Sequence, residues 1–296
     1  VSEKYWVIIV GAGPAGIFAA LELVRAGVRG ILLLEKGLDL AERQGRGRDG
    51  SMLSGWGGAG AYSDGKLALS TEIGGVLERY CGPSQMADLV EYVDETYRAF
   101  GAPAEIQGSD AEAVAHLVRQ AARFDMKLIP SLYRHMGTEV CGEVLGKLRA
   151  HLVAQVEVRC GVGVAEVIIG PDGGVGGVRL DDGTALGADY VILAPGREGS
   201  AWLAQEAARL KLHTVINPVD IGVRVEVPAS VMEEITRATY EAKILYYTRR
   251  FEDMVRTFCM CPHGEVIRED LGGLYTVNGH SYAHRKTANT NFALLV

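Results

Sequence analysis

The stretch "WVIIVGAGPAGIFAALELVRAGVRGILLLEKG", Trp6 to Gly37, decides the fold. Trp6 to Val10 is a continuous apolar run, the pattern of a strand buried on both faces of a parallel sheet. Gly11 permits a tight turn, Gly13 clears space for a pyrophosphate, and Gly16 lets the following helix pack on the strand. Ala12 and Ala15 complete that turn, and Pro14 falls where a helix has no use for its missing N–H. Ile17, Ala20, Leu21 and Val24 recur at helical spacing, and Gly27 closes the helix. Ile31 to Leu34 reads as the second strand, with Glu35 at its end and Lys36 beside it. A carboxylate there accepts hydrogen bonds from both ribose hydroxyls of an adenosine and repels a 2′-phosphate, which argues against NADP. Strand, glycine turn, helix, strand and acid together predict a Rossmann-like dinucleotide-binding domain. The turn alone leaves NAD and FAD open, because both carry an adenosine diphosphate.

Composition narrows the class. The chain has 296 residues, 48% of them hydrophobic, and a net charge of -7, which suits a water-soluble globular protein and not a nucleic-acid binder. No apolar run is long enough for a membrane span. Five scattered cysteines, Cys81, Cys141, Cys160, Cys259 and Cys261, suit a reducing cytoplasm better than a disulfide framework.

Glu42 to Leu67, "ERQGRGRDGSMLSGWGGAGAYSDGKL", is glycine-dense and aperiodic, so it is expected to be functional or a solvated linker. Arg43, Arg46 and Arg48 are placed to supply charge to a pyrophosphate. Gly55, Gly57, Gly58 and Gly60, with Ala59 between them, offer unhindered N–H groups to an anion or a flavin edge. Val156 to Gly196 reads as a β-meander, with turns at Asp172-Gly173 and Asp182-Gly183, leading to a buried strand that ends in Ala194-Pro195-Gly196 before Arg197.

"VGAGPAG" with the acid after "LLLE" resembles the opening motif of flavoproteins with two dinucleotide-binding domains. The segments "SGWGGAGAYSDGKL", "VILAPGREGSAWL", "VDIGVRVEVP", "VRTFCMCPHGEV", "VNGHSYA" and "NTNFALLV" extend this to an uncharacterised FAD-dependent dehydrogenase family of bacteria and archaea, more distantly similar to geranylgeranyl-reductase-like flavoproteins. The resemblance implies non-covalent FAD, with Val164 near the adenine and Ala194 to Gly196 returning beneath adenine and pyrophosphate. It implies no substrate. Such flavoproteins also share a late Gly-Asp element for the ribityl chain, and none is found after Val255, so a chain truncated at its C-terminus is expected.

The expected architecture is α/β: a three-layer Rossmann-like FAD/NAD(P)-binding domain, parallel sheet plus β-meander, with a helical insertion and a β-rich substrate domain. The boundaries expected are 1–80 with 151–200 for a discontinuous FAD-binding domain, 81–150 for a mostly helical insertion, and 201–296 for an incomplete substrate domain. Helices are expected over Gln85–Phe100, Asp110–Phe124 and Thr138–Val153, their apolar stripes in the core. Arg224, Lys243, Arg249, Arg250 and Arg256 make one segment basic, which suits an anionic small-molecule substrate. Cys259 and Cys261 are either packing thiols or a catalytic thiol beside the flavin; with His263 they lack a fourth ligand, and no metal is expected. Asn278-Gly279 is a turn signal. His280, Tyr282, His284 and Lys286 are candidates for moving a proton in step with hydride transfer.

The function expected is that of an FAD-dependent oxidoreductase exchanging hydride with an unknown organic substrate, with NAD(P)H a candidate donor. "GVGVAE" fails to supply a second nicotinamide motif. The alternatives are a non-catalytic FAD-binding module and a thiazole-synthase-like or geranylgeranyl-reductase-like flavoprotein.

Overall fold

The computed structural model describes residues 3–46, 52–75, 77–270, 274–282 and 285–296. Arg48 and His284 lie outside them, as does the side chain of Arg46. The chain divides into two units, Val1–Tyr62 with Gly142–Ile216, and Ser63–Cys141 with Asn217–Val296.

The first unit is built on a six-stranded sheet in the order Glu157–Cys160, Ile31–Glu35, Glu3–Val10, Ala185–Leu193, Val175–Leu180 and Val164–Ile169. The first four strands run parallel and the last two are antiparallel, as a meander requires. Alternation then sorts the side chains. Ile8, Val10, Leu32 and Leu34 share a buried cluster with Val164, Val178, Leu180, Leu186 and Ala188. The helix Pro14–Arg25 buries Gly16 and, of the predicted apolar face, Ile17, Ala20 and Leu21, while Val24 is half-buried. Val10, Glu35 and Leu193 fall at the carboxyl ends of adjacent parallel strands, where open α/β sheets bind their ligands.

The second unit carries an antiparallel five-stranded sheet, ordered Gly222–Pro228, Asn289–Leu295, Met254–Cys261, Lys243–Tyr247 and Met126–Ile129. Two hairpin-like pairs, Lys66–Ala68 with Tyr133–His135 and Glu265–Asp270 with Tyr275–His280, complete it. From Asn217 on the chain is β-rich apart from the helix Ala229–Thr239, whereas residues 201–216, expected in the same domain, belong to the first unit with the helix Ser200–Arg209.

Three expectations need correcting. Residues 81–150 do not form a unit of their own, because Met126–Ile129 pairs with Lys243–Tyr247 and draws Ser63–Cys141 into the C-terminal sheet. The helix Pro83–Ala99 exists, but none of its residues is buried, so its stripe is half-covered rather than core. It is held instead by Arg134, almost wholly buried, whose Nε and Nη2 reach Asp94 at 2.5 and 2.8 Å. Asn278 and Gly279 make no turn: they lie inside the strand Tyr275–His280, opposite Ile267 and Val266. Among the described residues, no helix is long and apolar enough to cross a membrane.

Candidate dinucleotide-binding site

A cavity of about 400 Å³ opens within the first unit at the carboxyl ends of the parallel strands. Its walls include Gly11, Gly13, Pro14, Glu35, Lys36, Gly58, Ala59, Gly60, Val164, Ala194, Gly196 and Arg197. Of the residues expected to hold a cofactor, these twelve are brought together.

The three motif glycines serve different ends. Gly11, at φ 106°, would place a Cβ 2.2 Å from the Ala194 carbonyl oxygen, and Gly16 would place one 1.9 Å from that of Gly11. Both are glycine because the protein's own backbone fills the space. Gly13 differs: an added Cβ meets only the Gly58 Cα, at 4.0 Å. Nothing in the protein forbids a side chain there, and the side chain would occupy the cavity. The helix Pro14–Arg25 starts at this point with Gly13 as its N-cap, so its unpaired first-turn N–H groups and positive dipole end suit a phosphate.

Glu35 is buried, and its carboxylate organises the site as well as lining it. Oε2 accepts the Ala12 N–H at 2.8 Å; Oε1 accepts those of Gly37 and Gly55 at 2.8 and 2.9 Å. One side chain thereby ties together the glycine turn, the end of the second strand and the glycine-dense loop. A carboxylate offers about four lone-pair sites, which leaves acceptor capacity on Oε2 for a ribose hydroxyl.

The glycine-dense loop is not a solvated linker. Trp56 is fully buried and donates its Nε1–H to the Leu145 carbonyl at 3.1 Å. The Gly57 N–H reaches the Ala12 carbonyl at 2.8 Å, and Gly58 lies against Gly13, so the loop forms the wall facing the turn. Gly57 has no room for a Cβ beside Leu145 and contributes packing, not cavity lining.

Arg43 lies elsewhere than expected. Its guanidinium is buried and donates to the carbonyls of Trp56, Gly58 and Met52 at 2.5, 3.0 and 3.1 Å, with its charge 4.8 Å above the Tyr62 ring. It braces the loop from behind instead of facing a pyrophosphate. Burial lowers its affinity for a proton, which the interactions with Tyr62 and Glu35 oppose. Ala12 is buried, and Ala15 is exposed in the first helical turn; neither lines the cavity.

Several lining residues were missed, Asp181 and Trp202 among them. The Asp181 carboxylate covers Gly163, where a Cβ would lie 2.0 Å from Oδ2. Trp202 anchors its indole N–H on the Ala165 carbonyl at 2.8 Å. The signal available was the glycine at 163, whose need for space points to a neighbour.

Comparison with known proteins accords with this geometry. A FAD binding domain model matches residues 4–50, and the model of an FAD-dependent protein, C-terminal domain-like, matches residues 218–296. Both matches point to FAD as the cofactor. It is 29% identical over 314 residues to an uncharacterised protein of Clostridium beijerinckii, covering 98% of this chain and 51% of that protein. The chain thus spans about half the length of the curated relative it matches. Among solved structures it resembles NikD, an unusual amino acid oxidase essential for nikkomycin biosynthesis, at 13% identity and TM-score 0.50, over 98% of this chain and 69% of that one. It also matches 3-ketosteroid-delta4-(5alpha)-dehydrogenase of Rhodococcus jostii RHA1, at 20% identity and TM-score 0.45, over 72% of this chain and 50% of that one. The likeness to NikD supports the fold alone.

The catalytic candidates lie in the second unit. Cys259 is half-buried; His280 is buried on its strand; the Tyr282 hydroxyl donates to Glu265 at 2.5 Å; Lys286 is exposed. His263 presents Nδ1 to the Thr287 carbonyl at 3.0 Å, and the described residues contain no group of three or more metal-ligating side chains. The basic segment is dispersed as well. Arg224 is turned inward onto Asn291, Lys243 caps the Glu72 carbonyl, and Arg249 and Arg256 pair with Asp125 and Asp220.

Proposed function

We propose that the protein is an FAD-dependent oxidoreductase acting on a small organic molecule. The observation that carries this is Gly13, a motif glycine whose missing side chain clears only the cavity and not the protein. Gly11, Gly13 and the first helical turn would hold the pyrophosphate, Glu35 the adenosine ribose, and Gly58 to Gly60 the part of the cofactor nearest the loop. Bound flavin supplies two-electron chemistry by taking up or giving back a hydride. The protein's own residues position that ring and keep water from it. Reduced nicotinamide is the donor class proposed, docking without a Rossmann domain of its own. The basic segment is the basis for an anionic substrate, although its cations are engaged by the partners described above. The five cysteines are free, which fits the cytoplasm.

The test compares the wild-type chain with Gly13→Val, both titrated with FAD and followed by flavin absorbance and fluorescence. The wild type should bind and turn colourless on anaerobic reduction, then recover its colour with an electron acceptor. The valine variant should keep its circular dichroism and lose at least about a hundredfold in affinity, since overfilled space costs about 1–3 kcal/mol and lost phosphate contacts add to it. Equal binding by both chains would refute the site. Binding without reduction would favour the non-catalytic module.

A further inference from the structure

The second unit holds chemistry that hydride transfer to a flavin does not use. The strand Met254–Cys261 ends in Phe258-Cys259-Met260-Cys261. In a regular strand, thiols two residues apart point the same way, with Cα atoms roughly 6.6 Å apart. That is the upper end of the roughly 4.4–6.8 Å a disulfide tolerates. This strand is not regular. Its pairing with Asn289–Leu295 shifts register between Phe258 and Cys261, and Cys259 adopts φ 49°. A non-glycine residue in the left-handed region bends the chain at a bulge, and here Cys261 Sγ turns back to donate to the Cys259 carbonyl at 3.5 Å.

The surroundings are those of a reactive sulfur. Arg224 Nη2 donates to Cys261 Sγ at 3.4 Å and to the Cys259 carbonyl at 2.7 Å. That guanidinium fills the space above Gly279, where a Cβ would lie 1.8 Å from Nη2. Its position is further fixed by Asn291, fully buried, whose Oδ1 receives Nε and Nη2 at 2.8 and 2.6 Å. Lys66 is also buried, in ion pairs with Asp64 and Glu241 at 3.1 and 2.6 Å. Cys261 Sγ in turn faces Asp64 Oδ2 at 3.9 Å, and Cys259 Sγ faces Asn278 Oδ1 at 3.8 Å. The neighbouring Cys261 thiol, helped by Lys66 and Arg224 against burial and Asp64, lowers the Cys259 thiol below its ordinary range. The neighbouring Cys259 and burial push the Cys261 thiol up. Cys259 is half-buried and Cys261 fully buried, so Cys259 is the sulfur that a small solute reaches first.

We propose that Cys259 and Cys261 are a redox-active dithiol that takes low-molecular-weight disulfides as its oxidant, Cys259 attacking and Cys261 resolving. The Cys259 thiolate attacks one sulfur of the disulfide, the S–S bond breaks, and one thiolate leaves and takes up a proton. Cys261 gives its proton towards Asp64 and attacks Cys259 Sγ, and the second thiolate leaves with that proton. Two protein thiols are oxidised by two electrons to a disulfide, and one small disulfide is reduced to two thiols. Two packing thiols would need neither a guanidinium held against them nor a left-handed cysteine. The step is independent of bound FAD.

The test uses the full chain under native conditions, without added flavin. It is incubated with oxidised glutathione, blocked with N-ethylmaleimide after denaturation, and read by peptide mass spectrometry. The peptide carrying both cysteines should lose two hydrogens and take no maleimide. Cys141 and Cys160, whose thiols burial pushes up to about 11 and about 12, should remain alkylable. Cys261→Ser should accumulate glutathione on Cys259, at a rate at least about tenfold above that of Cys81. Cys259→Ser should leave Cys261 unmodified. Stable glutathione on Cys259 of the wild type, no oxidation of the pair, or modification of Cys261 in Cys259→Ser would each overturn the proposal.

Discussion

At Gly279 the absent side chain is as informative as the neighbours present. The Arg224 guanidinium crosses the position a Cβ would take, 1.8 Å from Nη2 and 2.3 Å from Asn291 Oδ1. Gly279→Ala must therefore expel the half-buried Arg224 guanidinium from its hydrogen bonds to Asn291, which is fully buried, and to Cys259. Leaving buried partners unsatisfied costs about 1–3 kcal/mol, more for a charged group. We expect the alanine variant to lose about 3 kcal/mol in urea unfolding, with the m-value unchanged; a loss under 0.5 kcal/mol, the scale of an ordinary surface change, would remove the argument. Gly279 shows why some residues were not legible. Asn-Gly is a local turn signal, but the demand on this glycine comes from Arg224, on another strand. Gly11 and Gly16 were legible because their constraint is the short strand–turn–helix itself. Arg43 was misread for the same reason as Gly279: a sequence shows a cation, not the three carbonyls that surround it.

Elements were legible where their period is local and their partners close. The strands Glu3–Val10 and Ile31–Glu35 and the helix between them match the reading from Trp6 to Gly37 almost residue for residue. The glycine-dense loop carries no period, and its order comes from what it is pinned to: Trp56 on Leu145, Gly57 on Ala12, Gly55 on Glu35, and three carbonyls on Arg43. Replacing Arg43 with Met keeps the stem and removes the donors. Hydrogen bonds to a charged group are worth about 1.5–3 kcal/mol each and do not add fully. The Met variant should lose on the order of 3 kcal/mol. Amide exchange at Gly55 to Gly58 should accelerate before any change in the sheet strands. Uniform acceleration across the first unit would mean that Arg43 supports the whole core and not this loop.

At the scale of the whole chain, the division into units escaped the sequence because long-range pairing made it. Met126–Ile129 joins Lys243–Tyr247 across more than a hundred residues, and no local pattern records such a partner. The two family matches fall one in each unit, 4–50 in the first and 218–296 in the second. A ligand that binds only the folded first unit stabilises that unit by mass action. At a hundredfold excess over its dissociation constant the gain is about 2.7 kcal/mol. FAD at that concentration should therefore slow amide exchange most in peptides covering Gly11 to Gly16, Glu35 to Gly37, Gly55 to Gly60 and Ala194 to Gly199. These segments are far apart in sequence and share only the cavity of the first unit, so protection of all four together tests the placement of the cofactor rather than the motif alone. Protection of the first two without the glycine-dense loop would mean that the adenosine end binds as described and the loop does not contribute. Protection confined to Asn217–Val296 would place the cofactor outside this cavity altogether.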